Sequence, residues 1–223
     1  MNGDRMVAAL ERYILNAPDE RITARRDWPD SMTVRTNWGS YGFQHSDWLI
    51  AQESWVDEAV WVVMRTPVED VMLETYGMLE CCDGTVLCVN DLATMRDLGR
   101  RLVDDLNPMA YAELLGEFYS GPRIDGPVVS APTVSELARS GWFIDDVASA
   151  VAAHPQLGAI ALEPPRLSRA GGRVELGFDS CHYYLDHFGV GAAIDVLRWK
   201  VTVDESREVS WRREYVAQRV TRK

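Results

Sequence analysis

The sequence lacks any apolar run long enough to cross a membrane, since nowhere do about eighteen apolar residues follow one another without interruption. The N-terminal stretch MNGDRMVAALERYILNAPDE carries acidic residues early and has no apolar segment of signal-peptide length. These absences exclude a membrane-spanning helix and predict a cytoplasmic protein with no membrane partner.

Cysteine is scarce and is not spaced for metal or redox chemistry. Of the four cysteines, Cys81 and Cys82 are adjacent and no two form a C-x-x-C pair. This spacing excludes a zinc ribbon and a thioredoxin-like motif. We expect reduced thiols, as is usual in a cytoplasm.

Common catalytic signatures are also missing. The sequence has no glycine-rich phosphate loop, no G-x-S-x-G and no H-E-x-x-H. It contains neither an internal repeat nor a low-complexity tract. No cofactor is therefore predicted, and the sequence leaves open whether the protein is an enzyme.

Acidic residues dominate the charge of the chain. The 223 residues include 34 acidic and 23 basic ones, for a net charge of -11, and 47% are hydrophobic. This composition is typical of a folded globular protein, and its charge disfavours nucleic acid as a partner. Two basic clusters, RITARRDWPD and SWRREYVAQRVTRK, contain or flank carboxylates. The acidity suits a basic protein partner, and it equally suits solubility alone.

The first ninety residues predict one helix followed by antiparallel strands. Apolar residues at helical spacing indicate a helix from Gly3 to Leu15. Short β-prone runs follow from Arg21 to Asn90. Asp83-Gly84 predicts the tip of a hairpin with arms at about Met72–Cys82 and Thr85–Asn90, because glycine supplies the positive φ of a two-residue turn.

Helical periodicity marks the middle of the chain. It predicts helices over Ala93–Leu106, with a cap formed by Thr94 and Asp97, and over Pro108–Tyr119, capped by Asn107. Two further helices are predicted from Thr133 to Ser140 and over the sequence FIDDVASAVAAH.

Alternation with period two returns from Gly172 to Ala217 and predicts a three-strand meander. The order of strands, helices and strands indicates an α+β fold, in which a central helical layer covers antiparallel sheets. We expect a single domain over residues 1–223, with a possible subdomain boundary in the Pro/Gly-rich connector at 121–132.

The stretch DSCHYYLDHFGVG, residues 179–191, contains the residue types found in active and metal sites. On a strand, Cys181 and His182 point to opposite faces and cannot act together. The face that begins with Val174, Leu176 and Phe178 is the core face, and it continues with Ser180, His182 and Tyr184. These three residues could line a pocket, with His182 as acid/base, or His182 could be hydrogen-bonded within the sheet as a structural residue.

A metal site built from Asp179, His182, Asp186 and His187 has suitable atoms, but the spacing matches no metal motif. No metal is therefore predicted.

Aromatic residues concentrate between Trp28 and Trp61. In RTNWGSYGFQHSDW, the rings of Trp38, Tyr41, Phe43 and Trp48 are interleaved with Gly39, Gly42, His45 and Asp47 on a predicted loop, where aromatic rings could stack on a ligand. Trp38, Tyr41, His45 and Trp48 are the candidate ligand-binding residues of this loop. The alternative is that Trp48 and other tryptophans, namely Trp55 and Trp61, fill a core.

Two classes of function fit these features. The first is a non-catalytic binding or accessory protein that acts through a protein partner, favoured by the net charge and the absence of catalytic motifs. The second is a small-molecule binder or enzyme with a pocket between helices and sheet, in which Ser180 and Tyr184 orient the ligand and the Trp38–Trp48 segment forms a wall.

Overall fold

The computed structural model describes residues 3–15, 17–67, 74–119, 133, 155–184 and 193–221. These residues form an α+β structure with antiparallel sheets, as predicted. The chain divides into two compact units, Met1–Asp97 and Leu98–Lys223. No helix in the described ranges is both long and apolar enough to span a bilayer.

The first unit is a six-stranded antiparallel sheet with one helix. The strands follow one another in chain order across the sheet. The helix α1 spans Gly3–Tyr13, the strands are β1 (Ile22–Trp28), β2 (Ser31–Thr36), β3 (Gly39–Ser46), β4 (Val56–Pro67), β5 (Glu74–Cys81) and β6 (Val86–Cys88), and a short 3₁₀ helix covers Leu49–Gln52.

The core of this unit forms between α1 and one face of the sheet. Met6, Leu10 and Ile14 repeat at helical spacing and are buried, which confirms the predicted apolar stripe. Alternate sheet residues such as Val34 and Phe43 belong to the same buried cluster. Side chains between these alternate positions therefore lie on the opposite face of the sheet, which we call the outer face.

The hairpin predicted at Asp83-Gly84 is present, and Gly84 has a φ of 85°. The two-residue turn predicted for it is wrong, because Leu79 lies opposite Leu87 and Glu80 opposite Val86. The turn has three residues instead of two. The Gly84 N–H donates to the Cys81 carbonyl at 2.7 Å, and the Asp83 carboxylate accepts from the Thr85 N–H at 2.8 Å.

Sequence periodicity did not reveal β1 and β3. β1 is an edge strand in which six of seven residues are exposed, so it carries no apolar alternation. β3 occupies part of the segment predicted as a loop, where glycines alternate with Tyr41 and Phe43. Within this strand Gly42 leaves one position on the outer face without a side chain, and it does not mark a turn.

The second unit contains helices and a four-stranded antiparallel sheet. The sheet has the order β10-β9-β8-β7 and contains the predicted three-strand meander with one additional strand. The strands are β7 (Arg166–Ala170), β8 (Arg173–Tyr184), β9 (Ala193–Val203) and β10 (Val209–Thr221). The helices are α2 (Leu92–Arg100), α3 (Pro108–Tyr119) and α4 (Pro155–Gly158), and a 3₁₀ turn (Arg101–Val103) follows α2. The boundary between the two units lies within α2.

One face of this sheet is apolar and packs against α3. Leu176, Phe178 and Trp199 are fully or almost fully buried, and the rings of Phe178 and Trp199 stack at 5.7 Å. Leu114 of α3 is also fully buried. The apolar half of the face predicted for β8 is thus the core face.

The two predicted central helices are confirmed, with corrections at the start and end of α2. Its cap is Asp91, whose carboxylate accepts from the Thr94 N–H at 2.8 Å and the Thr94 hydroxyl at 2.9 Å. The cap predicted from Thr94 and Asp97 is therefore wrong. Of the helix predicted from Thr133 to Ser140, only Thr133 is described, and it forms an isolated β-bridge with Ala161. The helix predicted over FIDDVASAVAAH and the connector at 121–132 lie outside the described residues.

Candidate functional site

The stretch that begins at Asp179 lies in the last part of β8, and both of its faces are buried where it is described. Ser180 is fully buried on the face predicted to point inward, and its hydroxyl accepts a hydrogen bond from the Trp199 indole at 2.8 Å. This contact joins Ser180 to the apolar core.

On the opposite face, Asp179 is fully buried and has a complete set of partners. Its two carboxylate oxygens accept from the Arg198 guanidinium at 3.0 Å each, and one of them also accepts from the Glu163 N–H at 2.8 Å. Cys181 lies on this face too, and burial raises the pKa of its thiol to about 12. The thiol is therefore protonated near neutral pH and is a poor nucleophile.

His182 and Tyr184 belong to β8, opposite Asp195 and Ala193 of β9. Their side chains, together with Asp186 and His187, lie outside the described part of the chain. The proposed roles of His182, Ser180 and Tyr184 in a pocket stay predictions. Within the described ranges, no three His, Cys, Asp or Glu side chains converge to hold a metal ion.

The four aromatic residues predicted as a ligand wall have different environments. Trp38 is 41% exposed at the turn before β3, whereas Tyr41 is fully buried and donates its hydroxyl to Glu20 at 2.9 Å. His45 is exposed and contacts the edge of the Trp61 ring at 5.5 Å. Trp48 is half-buried before the 3₁₀ helix, and Trp61 is buried in the core.

Tyr41 belongs to a polar cluster at the helix-covered face of the first sheet. The side chain of Glu20 is 2% exposed and accepts from the hydroxyls of Tyr41 and Thr36. Arg65 donates to Glu74 at 3.0 Å. Burial and the hydrogen bond to Glu20 raise the pKa of Tyr41. The phenol therefore stays a donor, and Glu20 has its hydrogen-bond partners within the cluster.

The outer face of β1, β2 and β3 is the better candidate for binding. Two adjoining depressions of about 400 and 360 Å³ lie on it and share Trp28 and Thr33. We call this surface the arginine–tryptophan face; it comprises Ala24, Arg26, Trp28, Ser31, Thr33, Arg35, Gly42 and Gln44.

Strand alternation gives the consecutive residues Arg25 and Arg26 different roles. Arg25 points toward α1, where its guanidinium donates to Asp4 at 2.6 Å and also pairs with Asp27. A Cβ on Gly3 would lie 1.9 Å from this guanidinium, so a side chain at residue 3 would displace it from this position. Arg25 thereby anchors the edge strand β1 to the helix.

Arg26 points to the outer face and lies over the Trp28 ring at 5.0 Å. Neither Arg26 nor Arg35 forms an ion pair with a residue that the structure describes. Trp28 is 42% exposed, and Asp30 is the acidic residue lining this face. The face therefore combines two cationic groups with an aromatic ring in water.

The floor of the face is open because small residues occupy its centre. Arg26, Thr33 and Gly42 lie opposite one another on β1, β2 and β3. A Cβ on Gly42 would have no heavy atom within 4 Å. The basic cluster RITARRDWPD is visible in the sequence. Strand alternation is what distinguishes Arg25, which has carboxylate partners, from Arg26, which forms no ion pair with a described residue.

Comparison of the chain with protein-family models, with curated proteins and with solved structures finds no match. Function is therefore inferred from the positions and contacts of this chain's own residues.

Proposed function

We propose that this protein is a non-catalytic binding protein whose arginine–tryptophan face docks an extended acidic segment of a partner protein. The observation that supports this most directly is that Arg26 and Arg35, which form no ion pair with a described residue, lie beside the exposed ring of Trp28. Tryptophan and arginine are the residue types that contribute most to protein–protein binding energy.

The position of β1 favours an extended partner. β1 pairs with β2 on one side only and forms the edge of the sheet. Its other edge carries backbone groups that an added strand can pair with. Arg25 holds β1 against α1, so this edge is ordered before binding, which reduces the entropy that binding costs.

Charge complementarity favours an acidic partner. In an added strand, alternate side chains would face Arg26 and Trp28, which suits a sequence that alternates acidic and apolar residues. A long nucleic acid is the less suitable ligand, because two arginines neutralise few phosphates and the chain carries a net charge of -11.

The test is fluorescence anisotropy with a labelled peptide of alternating glutamate and leucine, compared with one of alternating lysine and leucine. We expect the acidic peptide to bind and Trp28→Ala to weaken binding by about tenfold, equivalent to about 1.4 kcal/mol. Arg26→Ser and Arg35→Ser should each weaken it, whereas the charge-matched control Arg96→Ser, at an exposed position of α2, should not.

Equal binding of the two peptides, or unchanged binding of the acidic peptide by Trp28→Ala, would refute the proposal. The proposal is also refuted if the acidic peptide does not bind at about 1 mM. A dissociation constant of this size corresponds to a binding free energy of only about 4 kcal/mol.

A further inference from the structure

The outer face of the second sheet carries a groove of about 520 Å³ whose lining residues all belong to the second unit. Four residues in the groove lie directly opposite one another on β10, β9, β8 and β7, and we call them the cationic row. In order across the sheet they are Arg212, Lys200, Gly177 and Arg166.

The charges in this row are unusual for a sheet. Like charges directly opposite each other on neighbouring strands are destabilising, yet Arg212 faces Lys200. Lys200 pairs with Glu175 at 2.8 Å, whereas neither Arg166 nor Arg212 forms an ion pair with a residue of the described ranges. Glu175 offsets this repulsion in part, since it pairs with Lys200 and also attracts Arg212, and an anionic ligand beside Arg166 and Arg212 would offset it further.

Gly177 creates the space in which a ligand could lie. A Cβ at this position would have its nearest neighbour, the Trp199 carbonyl oxygen, at 3.9 Å, so a side chain would fit. Its absence leaves a gap between Lys200 and Arg166. Neighbouring strands are about 4.8 Å apart, so the backbones of these two residues are separated by about 10 Å, which leaves room for an anionic group between them.

One wall of the groove is already fixed. Arg198 lines it and is held by the buried carboxylate of Asp179, and it also approaches Glu163 at 3.4 Å. This ion pair restrains the wall, while Arg166 and Arg212 form no ion pair within the described part of the chain. The groove is also locally basic, although the protein as a whole is acidic. Four basic and three acidic residues line it. This count leaves out Arg213, which strand alternation assigns to the other face of the sheet.

We infer that this groove binds a small molecule with two anionic groups, phosphate or carboxylate, one above Gly177 between Lys200 and Arg166 and the other at Arg212. Guanidinium groups bind both kinds of anion through paired hydrogen bonds. The groove volume lies within the range of about 300–1,000 Å³ that is typical of small-molecule sites. This inference is independent of the arginine–tryptophan face.

The test is isothermal titration calorimetry of the full chain with inorganic triphosphate and with citrate, so that the two probes distinguish phosphate from carboxylate ligands. We expect at least one probe to bind with a stoichiometry of one. Arg166→Ser and Arg212→Ser should each weaken binding by about tenfold, since each removes a charged donor. Gly177→Leu should weaken it by filling the gap, and Arg96→Ser should leave it unchanged.

Thermal unfolding of each variant establishes that it is folded, and Gly177→Ala replaces Gly177→Leu if the larger side chain prevents folding. The inference is wrong if neither probe binds the unmodified chain at about 1 mM, where the binding free energy is only about 4 kcal/mol. It is also wrong if Arg96→Ser weakens binding as much as Arg212→Ser, because the effect would then come from net charge alone.

Discussion

At the scale of the residue, two arginine–aspartate pairs have hydrogen bonds of the same number and length and differ in the burial of the carboxylate. Arg198 and Arg207 each donate two hydrogen bonds of 3.0 Å to a carboxylate, that of Asp179 or that of Asp104. The side chain of Asp179 is 0% exposed, whereas that of Asp104 is 52% exposed. Burial therefore decides what each pair contributes to stability.

We expect Asp179→Asn to lower the free energy of unfolding by about 3 kcal/mol, because it removes the buried carboxylate that accepts from Arg198 and from the Glu163 N–H, and leaves Arg198 paired with the more distant Glu163 carboxylate. Asp104→Asn, the matched exposed control, should cost less than about 1 kcal/mol, because water replaces the carboxylate. Urea denaturation of both variants measures the difference. Equal losses would show that burial is not the deciding factor.

At the scale of the element, the N-terminus of α2 depends on one side chain. The Asp91 carboxylate accepts from the backbone N–H and the hydroxyl of Thr94, and the Asp91 carbonyl accepts from the Met95 N–H at 3.0 Å. The bond to the Thr94 N–H satisfies a backbone donor that the first turn of a helix leaves without a helical partner, and the bond to the Met95 N–H is the first bond of the helix itself.

Asp91→Ala should lower the free energy of unfolding by about 1 kcal/mol through loss of the cap. Asp91→Asn is the matched variant, because it retains an oxygen acceptor and removes only the charge. Its loss should be smaller. Equilibrium denaturation compares the two, and an Asn variant as unstable as the Ala variant would assign the effect to charge instead of the hydrogen bonds.

At the scale of the whole molecule, the net charge of -11 decides which polyanions can approach. The arginine–tryptophan face and the cationic row are small basic areas on an acidic chain, so they suit short anionic ligands. We expect no binding of a single-stranded oligonucleotide of about 20 nucleotides at about 0.15 M salt. An electrophoretic mobility shift assay tests this, and a complex that dissociates steeply with added salt would contradict it.

Local periodicity determined several elements from the sequence alone. The stripe in α1, the span of α3 and the alternation in β8 follow from residues spaced by one helical turn or by two strand positions, and these patterns depend on the chain's nearest neighbours in sequence. Gly84 marked its turn for the same reason, since a positive φ is a local requirement. Net charge, the fold class and the scarcity of catalytic motifs also needed no structure.

Tertiary structure decided which polar residues are paired and which are free. Arg25 and Arg26 are adjacent in sequence, but strand alternation places Arg25 beside Asp27 and packing against α1 adds Asp4, whereas Arg26 forms no ion pair with a described residue. Asp179 meets Arg198, and Gly177 meets Lys200, through the register between β8 and β9. Register depends on turn length and on how buried faces meet, and the three-residue turn at Asp83 shows that one added residue changes every pairing. Both proposed sites consist of such cross-strand rows, which no short stretch of sequence contains.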